Sequence, residues 1–69
     1  NDERSEWAEN ALRSFAEQTG QDPDTDVWQE ILSDFLANAR HFADREALDY
    51  TECDSTGAGL YEEETRDPD

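Results

Sequence analysis

The chain has 69 residues, of which twenty are Asp or Glu and five are Arg, with no Lys, so its formal net charge is -15. One domain is the limit at this length, which excludes a Rossmann unit, a large barrel or a two-domain enzyme. The acidity excludes the basic face that grips DNA, RNA or an anionic membrane, no apolar run approaches the roughly 20 residues that cross a bilayer, and no signal-peptide pattern is present.

Hydrophobic content of 33% with high net charge is the signature of disorder. The apolar residues are nevertheless clustered, and seven of them are aromatic: Trp7, Phe15, Trp28, Phe35, Phe42, Tyr50 and Tyr61. Their spacing decides for a folded chain. The chain opens on Asn1 rather than Met, as a trimmed product would.

Residues 5–19 hold Trp7, Ala8, Ala11, Leu12, Phe15 and Ala16, paired at steps of about four, and predict a first helix. Asp2 or Ser5 is placed to cap its start, and Gly20 stands where a helix ends in a left-handed residue. Arg13 and Glu17 lie four apart on its solvent side. The run QDPDTD at 21–26 is a breaker around Pro23. Asp24, Thr25 or Asp26 is placed to cap a second helix, with Asp26 and Gln29 forming a capping-box-like pair.

The second helix is predicted over 26–45. Val27, Trp28, Ile31, Leu32, Phe35, Leu36, Ala39, Phe42 and Ala43 make a stripe wide enough to touch two neighbours, so this is the central helix. Glu30, Asp34, Asn38 and His41 fall on its outer face. A third helix is predicted over 50–64, with Asp49 and Glu52 at cap and third positions and Leu48 with Cys53 at staple spacing. Tyr50, Cys53, Gly57, Leu60, Tyr61 and Glu64 share one face of it. Gly57 and Gly59 each cost about 1 kcal/mol against Ala, unless an inner Gly permits a close helix approach. Residues 1–4 and 65–69 are expected to fray. The expected fold is therefore all-α, a single small three-helix bundle with about fourteen large apolar side chains as its whole core. So small a core, under the self-repulsion of the net charge, is expected to need salt, a partner or self-association as a homo-oligomer.

Little here resembles catalytic or metal chemistry. Asp22-Pro23-Asp24-Thr25-Asp26 opens like an EF-hand loop, but Val27 replaces the turn Gly and Ser33 stands at the bidentate twelfth position. His41 and Cys53, each the only one of its kind, make at most half a zinc site. A single Cys forms no internal disulfide, which suits a reducing interior or a chain indifferent to redox. With no Gly-rich turn for an oxyanion site and little room for a deep pocket, the chain is expected not to be an enzyme and to need no cofactor and no metal.

The charge remains to be explained. Residues 1–26 carry net -6, residues 27–48 net -2 and residues 49–69 net -7, so the acid sits on the outer helices and their ends. A compact chain of this length has a diameter of roughly 30 Å. That spaces its net charges about 2 Å apart, near the 1.7 Å of duplex DNA. The expected partner is the basic, Arg/Lys-rich surface of a nucleic-acid-binding protein complex, with no direct nucleic acid and no membrane. Candidate contacts are Glu6, Glu9, Glu17, Glu30, Asp34, Glu52, Asp54, Glu62, Glu63 and Glu64. Two other readings stand beside this one. The chain is an antitoxin-like or regulatory helical adaptor if its aromatics lie on the surface, and a halophile protein if the acid serves only as solvent adaptation.

At Ile31 to Tyr50 the run ILSDFLANARHFADREALDY resembles a group of small helical proteins of phages, plasmids and other mobile elements. Leu32, Leu36, Arg40-His41-Phe42, Ala43-Asp44, Leu48-Asp49-Tyr50 and a later Tyr61 followed by acids carry the likeness. Trp7, Ala11-Leu12 and Phe15 look like the same group's first helix. Ala47 stands where the group has Gly, and Leu60 where it has His. The resemblance implies a mobile-element setting in the cytoplasm of a bacterial or archaeal host. There, small acidic proteins look like anti-CRISPR or anti-restriction factors that occupy a DNA-binding surface.

Overall fold

The computed structural model describes residues 2–66. The described chain is three helices, α1 (Asp2–Thr19), α2 (Trp28–Arg45) and α3 (Tyr50–Arg66), with no strand among the described residues. It is a small all-α three-helix bundle. Helix begins at Asp2 rather than Ser5 and continues to Arg66 rather than Glu64, so residues 2–4 and 65–66 are helical where fraying was expected. Residues 1 and 67–69 of that expectation lie outside the described residues.

The two interhelix turns use one device. Gly20 has φ +77°, its N–H donates to the Glu17 carbonyl, and the Gln21 N–H reaches back to the Ala16 carbonyl at 2.8 Å. This is a Schellman end, which satisfies carbonyls that the helix leaves unpaired. After α2 the pattern repeats: Ala47 has φ 58°, its N–H donates to Asp44, and the Leu48 N–H donates to the Ala43 carbonyl at 2.8 Å. Here a side-chain-bearing residue occupies the left-handed position.

The N-termini differ from expectation in an informative way. Ser5 does not cap α1; its hydroxyl donates to the Asp2 carbonyl one turn back. Val27 stands at the N-cap of α2 with no side-chain bond, so α2 starts at Trp28 and the Asp26–Gln29 box does not form. The Asp carboxylates fold their own loop instead. Asp26 Oδ2 accepts the Asp22 N–H at 2.8 Å, and Asp22 Oδ1 accepts the Asp24 N–H at 2.9 Å. Such local bonds compete with capping for the same oxygens. Only at α3 does the expected cap form, with Asp49 Oδ1 accepting the Glu52 N–H at 3.0 Å.

α1 meets α2 through Phe15 and Phe35, whose rings lie edge to face at 5.3 Å, and Gln21 in the loop after α1 donates to Asp34 of α2 at 3.1 Å. α3 joins the far end of α2, where the Arg40 guanidinium lies 4.6 Å from the Tyr50 ring centre. The Arg4–Glu64 pair at 3.4 Å links the start of α1 to the end of α3. The frame is open. The molecule measures 39 × 32 × 15 Å, and both longer dimensions exceed the ~27 Å length of an 18-residue helix. The helices of the bundle are therefore spread across a plane and pack over only part of their length. The radius of gyration is 13.8 Å against about 11 Å for a compact chain of this length.

The core is correspondingly smaller than the sequence suggests. Ala16, Ile31 and Ala43 are buried, and Ile31 is the only large side chain among them. Leu12, Phe15, Phe35 and Tyr50 are half-buried, while the other nine of the expected core, Trp7, Val27, Trp28, Leu32, Leu36, Phe42, Leu48, Leu60 and Tyr61, are exposed. α3 buries no residue, and a methyl group added at Gly57 or Gly59 would meet nothing within 4 Å. Those glycines thus serve no close helix approach within the chain. Leu48 and Cys53 are both exposed, so their staple spacing buries little.

Candidate interaction surface

Every described Asp and Glu is exposed, and no polar or charged side chain is buried among the described residues. The ten candidate contacts are distributed over all three helices: Glu6, Glu9 and Glu17 on α1, Glu30 and Asp34 on α2, and Glu52, Asp54, Glu62, Glu63 and Glu64 on α3. Three of them already have work within the chain. Glu9 holds Arg13 at 2.9 Å, Glu64 holds Arg4 at 3.4 Å, and Asp34 accepts from Gln21 and Asn38. The side chains of Glu6, Glu17, Glu30, Glu52, Asp54, Glu62 and Glu63 make no hydrogen bond or ion pair among the described residues.

The cations are exposed as well, but most of them have partners within the chain. Arg13 pairs with Glu9 rather than with Glu17, since a Glu four residues N-terminal to its cation has the better helical geometry, and lies 5.3 Å over Trp28. Arg45 pairs with Glu46 at 2.9 Å and covers Phe42 at 5.0 Å. Arg40 sits on Tyr50 and Arg4 on Glu64. Four of the five Arg thus contact a Glu or an aromatic ring of the chain while remaining exposed, whereas seven of the ten candidate carboxylates have no such partner among the described residues.

The apolar surface is the feature that residue spacing did not reveal. Trp7 is 57% exposed and Trp28 37%. Trp28 also lines an open groove of about 340 Å³ with Ser5, Ala8, Glu9 and Leu12 of α1. Leu32 and Leu36, one turn apart on α2, are 45% and 44% exposed. A warning was present in the sequence: of the fourteen large apolar residues twelve are spread over three 17- or 18-residue helices, which leaves few for each contact.

His41 and Cys53 are exposed and lie on different helices. No group of three or more His, Cys, Asp or Glu among the described residues could hold a metal ion. No helix among them is long and apolar enough to cross a membrane. No protein-family model, curated protein or solved structure matches the chain.

Proposed function

We propose that the chain is an acidic mimic of nucleic acid that occupies the basic nucleic-acid-binding surface of a host defence complex, in the manner of an anti-CRISPR or anti-restriction factor of a mobile element. The observation that carries this reading is the imbalance of exposed charge: most candidate carboxylates have no partner among the described residues, whereas Arg4, Arg13, Arg40 and Arg45 each contact a Glu or an aromatic ring. Carboxylates then replace phosphates against Arg and Lys in charge-assisted bonds, and the chain acts by occupancy rather than by catalysis. Fifteen net charges along the 39 Å axis are spaced about 2.6 Å apart, sparser than the roughly 2 Å expected of a compact chain and than the 1.7 Å of duplex DNA.

The test uses the chain as bait in lysate of its cell of origin, eluted by a salt ramp. The expected result is a nucleic-acid-handling complex that is released by salt and, while occupied, fails to bind its DNA or RNA. If no such complex is retained at low salt, the mimic reading is lost. Exposed Trp7 and Trp28 favour a second reading, a helical interaction module that docks through aromatic side chains. Salt separates the two. A complex held by apolar contact persists through the ramp, whereas one held by carboxylates dissociates as the Debye length falls toward 3 Å at 1 M.

A further inference from the structure

We propose that the chain assembles as a two-fold homodimer through the apolar face that α2 presents between its neighbours, centred on Leu32 and Leu36. This inference is independent of the mimic reading. It starts from surface area. The chain exposes 5770 Å², whereas a compact monomer of 7.9 kDa exposes about 4,400 Å². The surplus of about 1,400 Å², summed over the whole chain, exceeds the roughly 800 Å² that each partner contributes to a standard stable interface, so an open frame of this kind has surface to spare for one.

Helix geometry locates the place. With about 3.6 residues per turn, Trp28, Ala39, Leu32, Ala43 and Leu36 fall in sequence around one arc of α2, and no Asp, Glu or Arg of that helix shares it. One margin of the arc is turned to α1, where Trp28 lies under Arg13. Beyond the other margin Arg40, the next charged residue round the helix, lies on Tyr50 at the start of α3. Between them Leu32 and Leu36 remain nearly half exposed.

Between two copies of this acidic chain, charge places the contact on α2. Residues 27–48 carry net -2 of the -15, so two chains meeting α2 to α2 oppose the fewest like charges. The acids of α1 and α3 are carried elsewhere on each copy. An apolar face pairs with itself, as a two-fold interface requires. It would also supply the burial that Ala16, Ile31 and Ala43 alone do not.

Sedimentation equilibrium of the whole chain, from about 1 to 100 µM in 0.05 M and 1 M NaCl, is the test. The expected result is a species of twice the 7.9 kDa chain mass, with a dissociation constant at least about tenfold lower in the higher salt, because screening removes repulsion between the copies. Leu36→Glu is expected to give one-chain mass throughout. If that variant loses its helical circular dichroism, Leu36→Ala replaces it, with an expected loss of about tenfold in dimer affinity. One-chain mass for the unaltered protein at 100 µM in 1 M salt overturns the proposal and leaves the face to another protein. Undiminished dimerisation of the Leu36 variant overturns it too, because the interface then lies elsewhere.

Discussion

Ala47 is the residue at which the backbone works hardest against its side chain. It holds φ 58° in a Schellman turn whose two hydrogen bonds parallel those around Gly20. A left-handed conformation costs an L-residue about 1 kcal/mol, a cost that Gly escapes. Ala47→Gly is therefore expected to raise stability by about 1 kcal/mol, or roughly 4–8 °C in melting midpoint for a domain of this size. Gly20→Ala should shift the midpoint by a similar amount in the opposite direction. Thermal melts followed by circular dichroism check both. Equal melting of Ala47→Gly and the parent would show that the turn gains nothing from Gly. The same scale explains why Val27, and not a neighbouring Asp or Thr, stands at the α2 N-cap. Asp24, Thr25 and Asp26 are all good N-cap types, but Asp22 and Asp26 bond to each other's loop, leaving Val27 at the cap.

At the scale of elements, α3 is the one that tertiary packing supports least. It buries no residue, and its two inner glycines face open space. Most helical stability in proteins comes from packing an apolar face, so α3 leans on its Asp49 cap, the Tyr50–Arg40 contact and the Arg4–Glu64 pair. Gly57→Ala and Gly59→Ala are each expected to stabilise it by about 1 kcal/mol, with higher helicity at 222 nm and greater amide protection across residues 50–66. No steric cost opposes this, because an added methyl meets nothing within 4 Å. A loss of stability in either variant would mean that α3 is pressed against something at that position. The contrast with α2 shows what sequence periodicity reports. The spacing of Trp7 to Ala16, of Trp28 to Ala43 and of Tyr50 to Tyr61 locates three helices within three residues at each end, because periodicity is a property of consecutive residues. Whether Leu32 or Leu60 is covered depends on how helices cross, and that follows from long-range geometry on which i, i+4 spacing is silent. The acids were legible as exposed side chains; the folding-back of Arg13 onto Glu9 and Trp28 was not, since α2 supplies the ring.

The whole molecule sets its net charge against a small core. Because every described acid is exposed, self-repulsion acts through solvent and is tuned by salt, with a Debye length near 30 Å at 0.01 M and 3 Å at 1 M. Glu62 and Glu63 isolate this effect. They are adjacent, exposed and without side-chain partners among the described residues, and they stand on the most acidic third of the chain. Replacing both by Gln removes two repelling charges while leaving shape and helix propensity nearly unchanged. The melting midpoint should therefore rise by a few degrees at 0.01 M salt, and the difference should vanish by about 1 M. If the same carboxylates meet Arg or Lys on a partner, Glu62→Gln with Glu63→Gln should weaken that complex by about tenfold at low salt, chiefly through slower association. A solvent-adaptation role predicts the stability change without the binding change. A docking role through Trp7 and Trp28 predicts that Trp-to-Ala variants lose the partner while the Gln variant keeps it. Opposite signs in stability and affinity from one double substitution would show that these charges oppose folding and serve binding.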